Sequence, residues 1–495
     1  MNSRILLCLL ITTFVLQNAQ AQDQSEPPPS AVEEVTFSVE QIREDFLVMR
    51  GAILEAHPGL YRFTDRRSVH AFFDATWASL DRPMTEFDLF RTLSPINGVI
   101  KCGHTKMLLS RETTNRSIQE DQFLPLQCSI IGNRLFIREN LSLRDDLVEG
   151  SEILTINGES SRSVIDRLRP SLWADGDIDL ARNQKLADDF LLWYAWLIGT
   201  PDQYDLVLSQ PDGAEQQVEL EALTLTMMRE QHARRSDDTE EPADPPGQFE
   251  LLEQQNAAVL TINSLFNPHY ERAGMNFENF LSESFETIER EGVEQLIIDV
   301  RGNGGGNDVN GRLLVSHLFS QPIPFYRSIA PVTRIFSYTK YTPVEDPAEI
   351  DEIFERFTLT EQGGYEWKTN EKLAAMVPAS LVFEGRVIVL IDEGSFSGAA
   401  EIASLLRHHK RAEFVGRETG GTYVGNNSGP GLDIHLPNSG IRFHMPFYRY
   451  EMAVDPGEHP TRGILPDHEI TPTMDDLISD RDMAMEYAIE LLRNR

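Results

Sequence analysis

Apolar positions along the chain change their period in a definite order. Between residues 37 and 108 they recur at helical spacing. Ile42, Phe46, Leu47, Ile53 and Leu54 form one group, Phe72, Phe73 and Trp77 a second, and Phe87, Phe90 and Leu93 a third that stops before Pro95. This pattern predicts a small helical N-terminal domain over residues 37–108. It closes in Lys101-Cys102-Gly103-His104-Thr105-Lys106-Met107-Leu108, where Gly103 breaks the helix and a strand can begin. Short strand-like runs follow at 123–131, 135–137 and 151–158, the last turning at Asn157-Gly158 into a helical pattern over 163–168.

Residues 204–208 and the Asp212-Gly213 turn supply closing strands, while a helical stretch over 181–198 interrupts the unit. Residues 230–247 are polar and contain Pro242, Pro245 and Pro246, which reads as a linker. Beyond it strand and helix alternate. Strands are predicted at 258–262, 295–300, 386–391 and 413–415, and helices at 270–292, 309–319 and 397–408. Such alternation indicates an α/β domain with crossover connections.

The chain has 495 residues, so two or three domains are expected. Its 78 acidic and 44 basic residues leave a net charge of -34, which argues against a nucleic-acid partner. Arg4, the apolar run over 5–16 and the small residues ending at Ala21 form a secretory signal peptide, followed by a flexible lead over 22–36. A run so short does not make a stable membrane span, so a secreted or periplasmic protein is expected. Cys102 and Cys128 then remain, read by default as two thiols in separate domains.

Two strand ends carry the chemistry. Leu296-Ile297-Ile298-Asp299-Val300 runs into Arg301-Gly302-Asn303-Gly304-Gly305-Gly306, and Val387-Ile388-Val389-Leu390-Ile391 runs into Asp392-Glu393-Gly394-Ser395-Phe396-Ser397-Gly398. Consecutive glycines leave amide N–H groups uncovered and let the main chain approach another group closely. Ser397 falls on a sharp strand-to-helix turn, the setting that exposes a nucleophilic hydroxyl. The glycine spacing is not G-x-G-x-x-G and no Walker lysine follows, so nucleotide binding is not indicated.

These turns, together with Val415-Gly416-Arg417-Glu418-Thr419-Gly420-Gly421, the ending Gly463-Ile464-Leu465-Pro466-Asp467 and the Cys102-Gly103-His104-Thr105 turn, resemble in order the C-terminal processing (tail-specific) serine peptidases. Residues 150–168 likewise resemble the later part of a PDZ domain. The family resemblance implies an α/β multidomain protein: a helical N-terminal region, a PDZ-like module over 120–225 with a helical insertion, and a ClpP/crotonase-like catalytic domain over 248–475, then a C-terminal helix over 476–495.

One branch of that family uses a lysine about twenty-five residues after the serine. Thr422 stands there, and no lysine follows Lys410. The chain is more similar to the tricorn-core-like branch, which implies Ser397 as nucleophile and His104 as base. Glu458 would then be the orienting acid, with Asp455 as its alternate. Amides of Gly304, Gly305 and Gly398 would hold the oxyanion, and no metal or cofactor is implied. A peptide or protein substrate is expected. A non-catalytic binder of apolar ligands or peptides on the same fold and an ester hydrolase are the alternatives.

Overall fold

The protein is described here by a computed structural model covering residues 35–235, 244–361, 363–367, 371–457 and 460–493. The expected signal peptide, most of the lead over 22–36 and residues 236–243 of the expected linker lie outside the described residues.

The N-terminal region is helical. Helix α1 (Val39–Ala56) starts at Ser38 with a reciprocal capping box to Gln41. Its buried stripe is Ile42, Phe46, Met49, Ala52, Ile53 and Ala56, whereas Leu47 and Leu54 of the sequence pattern are 49% and 38% exposed. Only positions returning at three or four residues from Ile42 meet the core; Leu47 and Leu54 are one step off that line. Helices α2 (Arg66–Ser79), α3 (Glu86–Leu93) and α4 (Ile96–Ile100) complete the group.

The strand that follows, β1 (Lys106–Leu108), does not close this helical unit as its sequence position suggested. It is added to a sheet formed far downstream.

A second unit is an antiparallel sheet of β2 (Leu126–Ile131), β3 (Arg134–Asn140), β4 (Glu152–Ile156), β5 (Gln203–Ser209) and β6 (Glu215–Glu221), in that spatial order. Helix α5 (Ser161–Leu168) follows β4 and buries Val164, Ile165 and Leu168. The inserted helical stretch is two helices, α6 (Asp179–Asp188) and α7 (Phe190–Leu197). Helix α8 (Leu225–Arg235) anchors through buried Leu225 and Met228, so the first residues of the expected linker are helical.

The third unit is built on a six-stranded sheet. Strands β7 (Gly247–Leu252), β8 (Ala257–Ile262), β9 (Gln295–Asp299), β11 (Arg386–Ile391), β12 (Glu413–Gly416) and β15 (His468–Glu469) lie in that order. All neighbouring pairs are parallel except β7 with β8. Alternate residues of the central strands face opposite layers. Ile297, Ile388, Leu390 and Val415 pack with Ala484, Ala488 and Leu492 of the C-terminal helix α12 (Met483–Arg493). Leu296, Ile298, Val389 and Ile391 join the main core with helices α9 (Phe277–Glu291), α10 (Asp308–Ser316) and α11 (Gly398–His408). Burial on both faces explains why these strands read as unbroken apolar runs.

A four-stranded sheet places β14 (Arg442–Met452) between partners: β10 (Tyr326–Ala330), β13 (Asn427–His435) and the early strand β1. Registers pair Arg442 with Leu108, Phe443 with Met107 and His444 with Lys106. The turn carrying His104 is thereby fastened to the α/β unit although Leu108 and Arg442 stand 334 positions apart.

Candidate active site

Parallel α/β sheets gather their ligands at the carboxyl ends of their strands, and both glycine-rich turns sit there, tied to each other. Asp392 Oδ1 accepts from the amides of Gly302 (2.8 Å), Gly394 (2.9 Å) and Ser395 (3.1 Å). Ser395 Oγ donates to the Val300 carbonyl at 2.8 Å, and the Phe396 amide donates to the Asn303 carbonyl at 2.9 Å. Asp299 and Arg301 serve another purpose. The Arg301 guanidinium bonds Asp299 and, at 2.7 Å through two nitrogens, Asp482 at the start of α12. That part of the motif clamps the C-terminal helix.

Ser397 is the residue before α11, with φ 52° and ψ -123°. Few non-glycine residues adopt positive φ, and such strain is held only where neighbours over-determine it. The neighbours are glycines: a Cβ at Gly305 would lie 2.7 Å from Ser397 Cβ, and one at Gly421 would lie 3.3 Å from the Ser397 nitrogen. The hydroxyl makes no capping bond to its own helix.

The three expected oxyanion donors differ. The amides of Gly304 and Gly398 donate to no protein acceptor among the described residues. Gly398 opens α11, where amides have no helical partner and the dipole favours negative charge. The Gly305 amide instead donates to Asn303 Oδ1 at 2.8 Å. The expectation of Gly305 as a donor is therefore corrected: its amide is occupied, and the lack of a side chain is what the site uses. Asn303 is itself fixed by its Nδ2 donating to the Ile262 carbonyl at 2.8 Å.

His104 reaches the same place. Its ring stacks on Phe396, the residue before Ser397, with centroids 4.7 Å apart. Its Nδ1 is buried without a partner, and no hydrogen bond joins it to Ser397 among the described residues. Burial holds its pKa down to about 3, helped by the positive neighbours Lys106, His444 and Lys185.

Three site neighbours carry no signal in the sequence pattern. Lys185, from the inserted helix α6, has its Nζ 5.6 Å from the Phe396 ring centroid, and Lys106 Nζ stands 5.6 Å from that of Trp173. Asp175 is buried and accepts from the Gly103 amide at 2.7 Å. Burial pushes its carboxyl up to about 6, opposed by that hydrogen bond and by Arg62, Lys185 and Arg182. Glu458 lies outside the described residues, and Asp455 is exposed. Both cysteines are free and buried.

The remaining motif segments support the turn. Glu418 binds Arg462 and accepts from the Gly463 amide at 2.8 Å, while Thr419 Oγ1 accepts from Ile464 at 2.8 Å. Thr422, where the other branch has its lysine, donates to the Gly425 carbonyl and serves its own loop.

Residues 256–470 match Peptidase family S41. They form an S41 peptidase domain. The S41 domain is that of a serine-type peptidase. The fold is similar to that of mature CPAF, with a TM-score of 0.63 at 13% identity, covering 92% of this chain and 98% of that one. The structure of mature CPAF complexed with lactacystin gives the same values. No curated protein matches the chain significantly. Among the described residues, no helix is long and apolar enough to cross a membrane.

Proposed function

We propose that the protein is a secreted or periplasmic peptidase that hydrolyses peptide bonds through an acyl-enzyme on Ser397, with His104 as its general base. The observation that supports this most is the conformation of Ser397. A serine held at φ 52° immediately before α11, with the unoccupied amide of Gly398 beside it, presents a hydroxyl next to a ready donor.

In this reading the His104 ring leaves Phe396 and accepts the Ser397 proton as Oγ attacks the substrate carbonyl carbon. The carbonyl oxygen becomes the oxyanion and is held by the amides of Gly304 and Gly398. Collapse breaks the C–N bond, His104 returns the proton to the leaving amine, and the acyl group stays on Ser397. A water then repeats the sequence, giving its proton to His104 and releasing the acid. The antiparallel sheet of β2 to β6 with α5 serves in this reading as a PDZ-like module for the substrate chain.

Reaction with a fluorophosphonate tests the assignment. The native protein should be labelled at Ser397, and Ser397→Ala should be neither labelled nor able to cleave a peptide library while keeping its melting temperature. Peptide cleavage by Ser397→Ala at the native rate would remove Ser397 from the site.

A further inference from the structure

Among the described residues, two buried polar atoms beside the serine turn lack partners, and they belong to neighbouring groups. One is Nδ1 of His104 and the other is Oδ2 of Asp175. Asp175 is wholly buried, and its other oxygen already holds the amide of Gly103, the residue before His104. A Cβ placed on Gly103 would lie 3.4 Å from the Asp175 carboxyl carbon and 2.6 Å from the Phe396 ring, so carboxylate, turn and ring meet at one point. Leaving two buried polar atoms unsatisfied costs free energy that a single hydrogen bond would recover.

We propose that Asp175 is the positioning residue for His104, its free Oδ2 accepting the Nδ1–H when the ring leaves its stack on Phe396. The inference rests on the peptidase reading above and assigns to Asp175 the role that the family resemblance gives to Glu458. Such a bond fixes the tautomer: with the proton on Nδ1, Nε2 is left free to accept from Ser397. It also stabilises the imidazolium formed during attack. The segment carrying Asp175 is itself held, the Gly176 amide donating to the Lys101 carbonyl at 3.0 Å and the Asp177 amide to the Thr461 carbonyl at 2.7 Å. The carboxylate is thus supplied from a rigid place.

Charged groups around the pair set the direction of the pH effect. His104 feels Lys106, His444 and Lys185, all of which disfavour the imidazolium. Asp175 feels Arg62, Lys185 and Arg182, and in turn acts on the Cys102 thiol. In the proposed arrangement the carboxylate accepts from the imidazole and favours its protonated form, so removing that charge should move the acid limb of the rate profile to lower pH.

The test is Asp175→Asn beside Glu458→Gln in the full chain. Asparagine keeps an acceptor for the Gly103 amide. Expected for Asp175→Asn are a fall in kcat/KM and in fluorophosphonate labelling of roughly 10³–10⁴-fold, an unchanged KM and an acid limb displaced to lower pH. Glu458→Gln should change labelling less than tenfold. Native labelling and an unmoved pH profile in Asp175→Asn overturn the proposal, as does a loss in Glu458→Gln equal to that of His104→Ala. Should Asp175→Asn not fold, the imidazole ¹⁵N shifts of His104 in Ser397→Ala decide: a proton on Nδ1 supports the proposal and a proton on Nε2 overturns it. Absence of labelling in the native protein would instead strike the peptidase reading itself.

Discussion

Gly305 faces Ser397 so closely that a methyl group on it would stand 2.7 Å from Ser397 Cβ and 2.8 Å from the Gly398 nitrogen. Its φ is +96°, which no side chain adopts without strain. Both atoms it would strike belong to the turn that presents the hydroxyl and a free amide. Gly305→Ala should therefore cost about 1–3 kcal/mol of stability and lose labelling at Ser397. Gly304, with nothing within 4 Å of its added Cβ, is the control, and Gly304→Ala should keep the native melting temperature. Equal melting temperatures and equal labelling for Gly305→Ala and the native chain would show that the turn tolerates the methyl.

The α/β unit was legible because its strands are buried on both faces and read as apolar runs, each ending in residues that only a turn requires. The expected helix over 309–319 corresponds to α10 (Asp308–Ser316), and the expected strand over 386–391 has the bounds of β11. What the pattern could not show is partnership across long separations. Lys106, Met107 and Leu108 look like the end of a helical unit until β14 is placed beside them. Asp175 precedes the inserted helices and Lys185 lies on α6, neither within a motif; the Gly103 amide holds the first beside the His104 turn, and the packing of α6 brings the second to Phe396. Gly305 was singled out as an oxyanion donor by its run of glycines, and the Asn303 side chain that takes its amide is invisible to a spacing argument.

His57 joins helix α1 to the turn that carries His104. The Gly59 amide donates to its Nδ1 at 3.1 Å, which leaves the proton on Nε2 to donate to Thr105 Oγ1 at 2.8 Å. Burial depresses its pKa to about 3 from an ordinary 6.5. The unfolded chain therefore binds a proton that the folded chain refuses. Stability from this group is fully present above pH 6.5 and is lost as pH falls toward 3. Between pH 6.5 and 5 the loss should approach about 2 kcal/mol. Urea midpoints of native protein and His57→Gln across that range check this. Parallel curves for the two would exclude His57 as the titrating group.

Lys106 acts on His104 through charge, the largest influence after burial in keeping the imidazole neutral. A general base must be unprotonated, so the acid limb of kcat/KM reports that group. Lys106→Gln removes a positive neighbour, raises the His104 pKa and should move the limb to higher pH by a few tenths of a pH unit or more, with Lys185→Gln acting in the same sense. The sign is opposite to that expected for Asp175→Asn. A limb that moves to lower pH in Lys106→Gln would contradict the electrostatic account.

Arg62 fastens the helical region to the loop and strand behind the serine turn. Its guanidinium donates to the carbonyls of Asn426 at 2.8 Å, Val424 at 3.0 Å and Tyr450 at 3.3 Å, three acceptors in a fork that a single ammonium cannot span. Burial lowers its pKa to about 10, so it remains a cation at neutral pH. Arg62→Lys keeps the charge and loses the geometry, leaving carbonyls without their donors. A loss of about 2–4 kcal/mol is expected from thermal or urea unfolding. If charge alone held the two regions together, Arg62→Lys would match the native protein and only Arg62→Ala would be destabilised. The expected order is instead that both variants fall, with lysine recovering little, because the carbonyls need donors at fixed positions rather than a positive field.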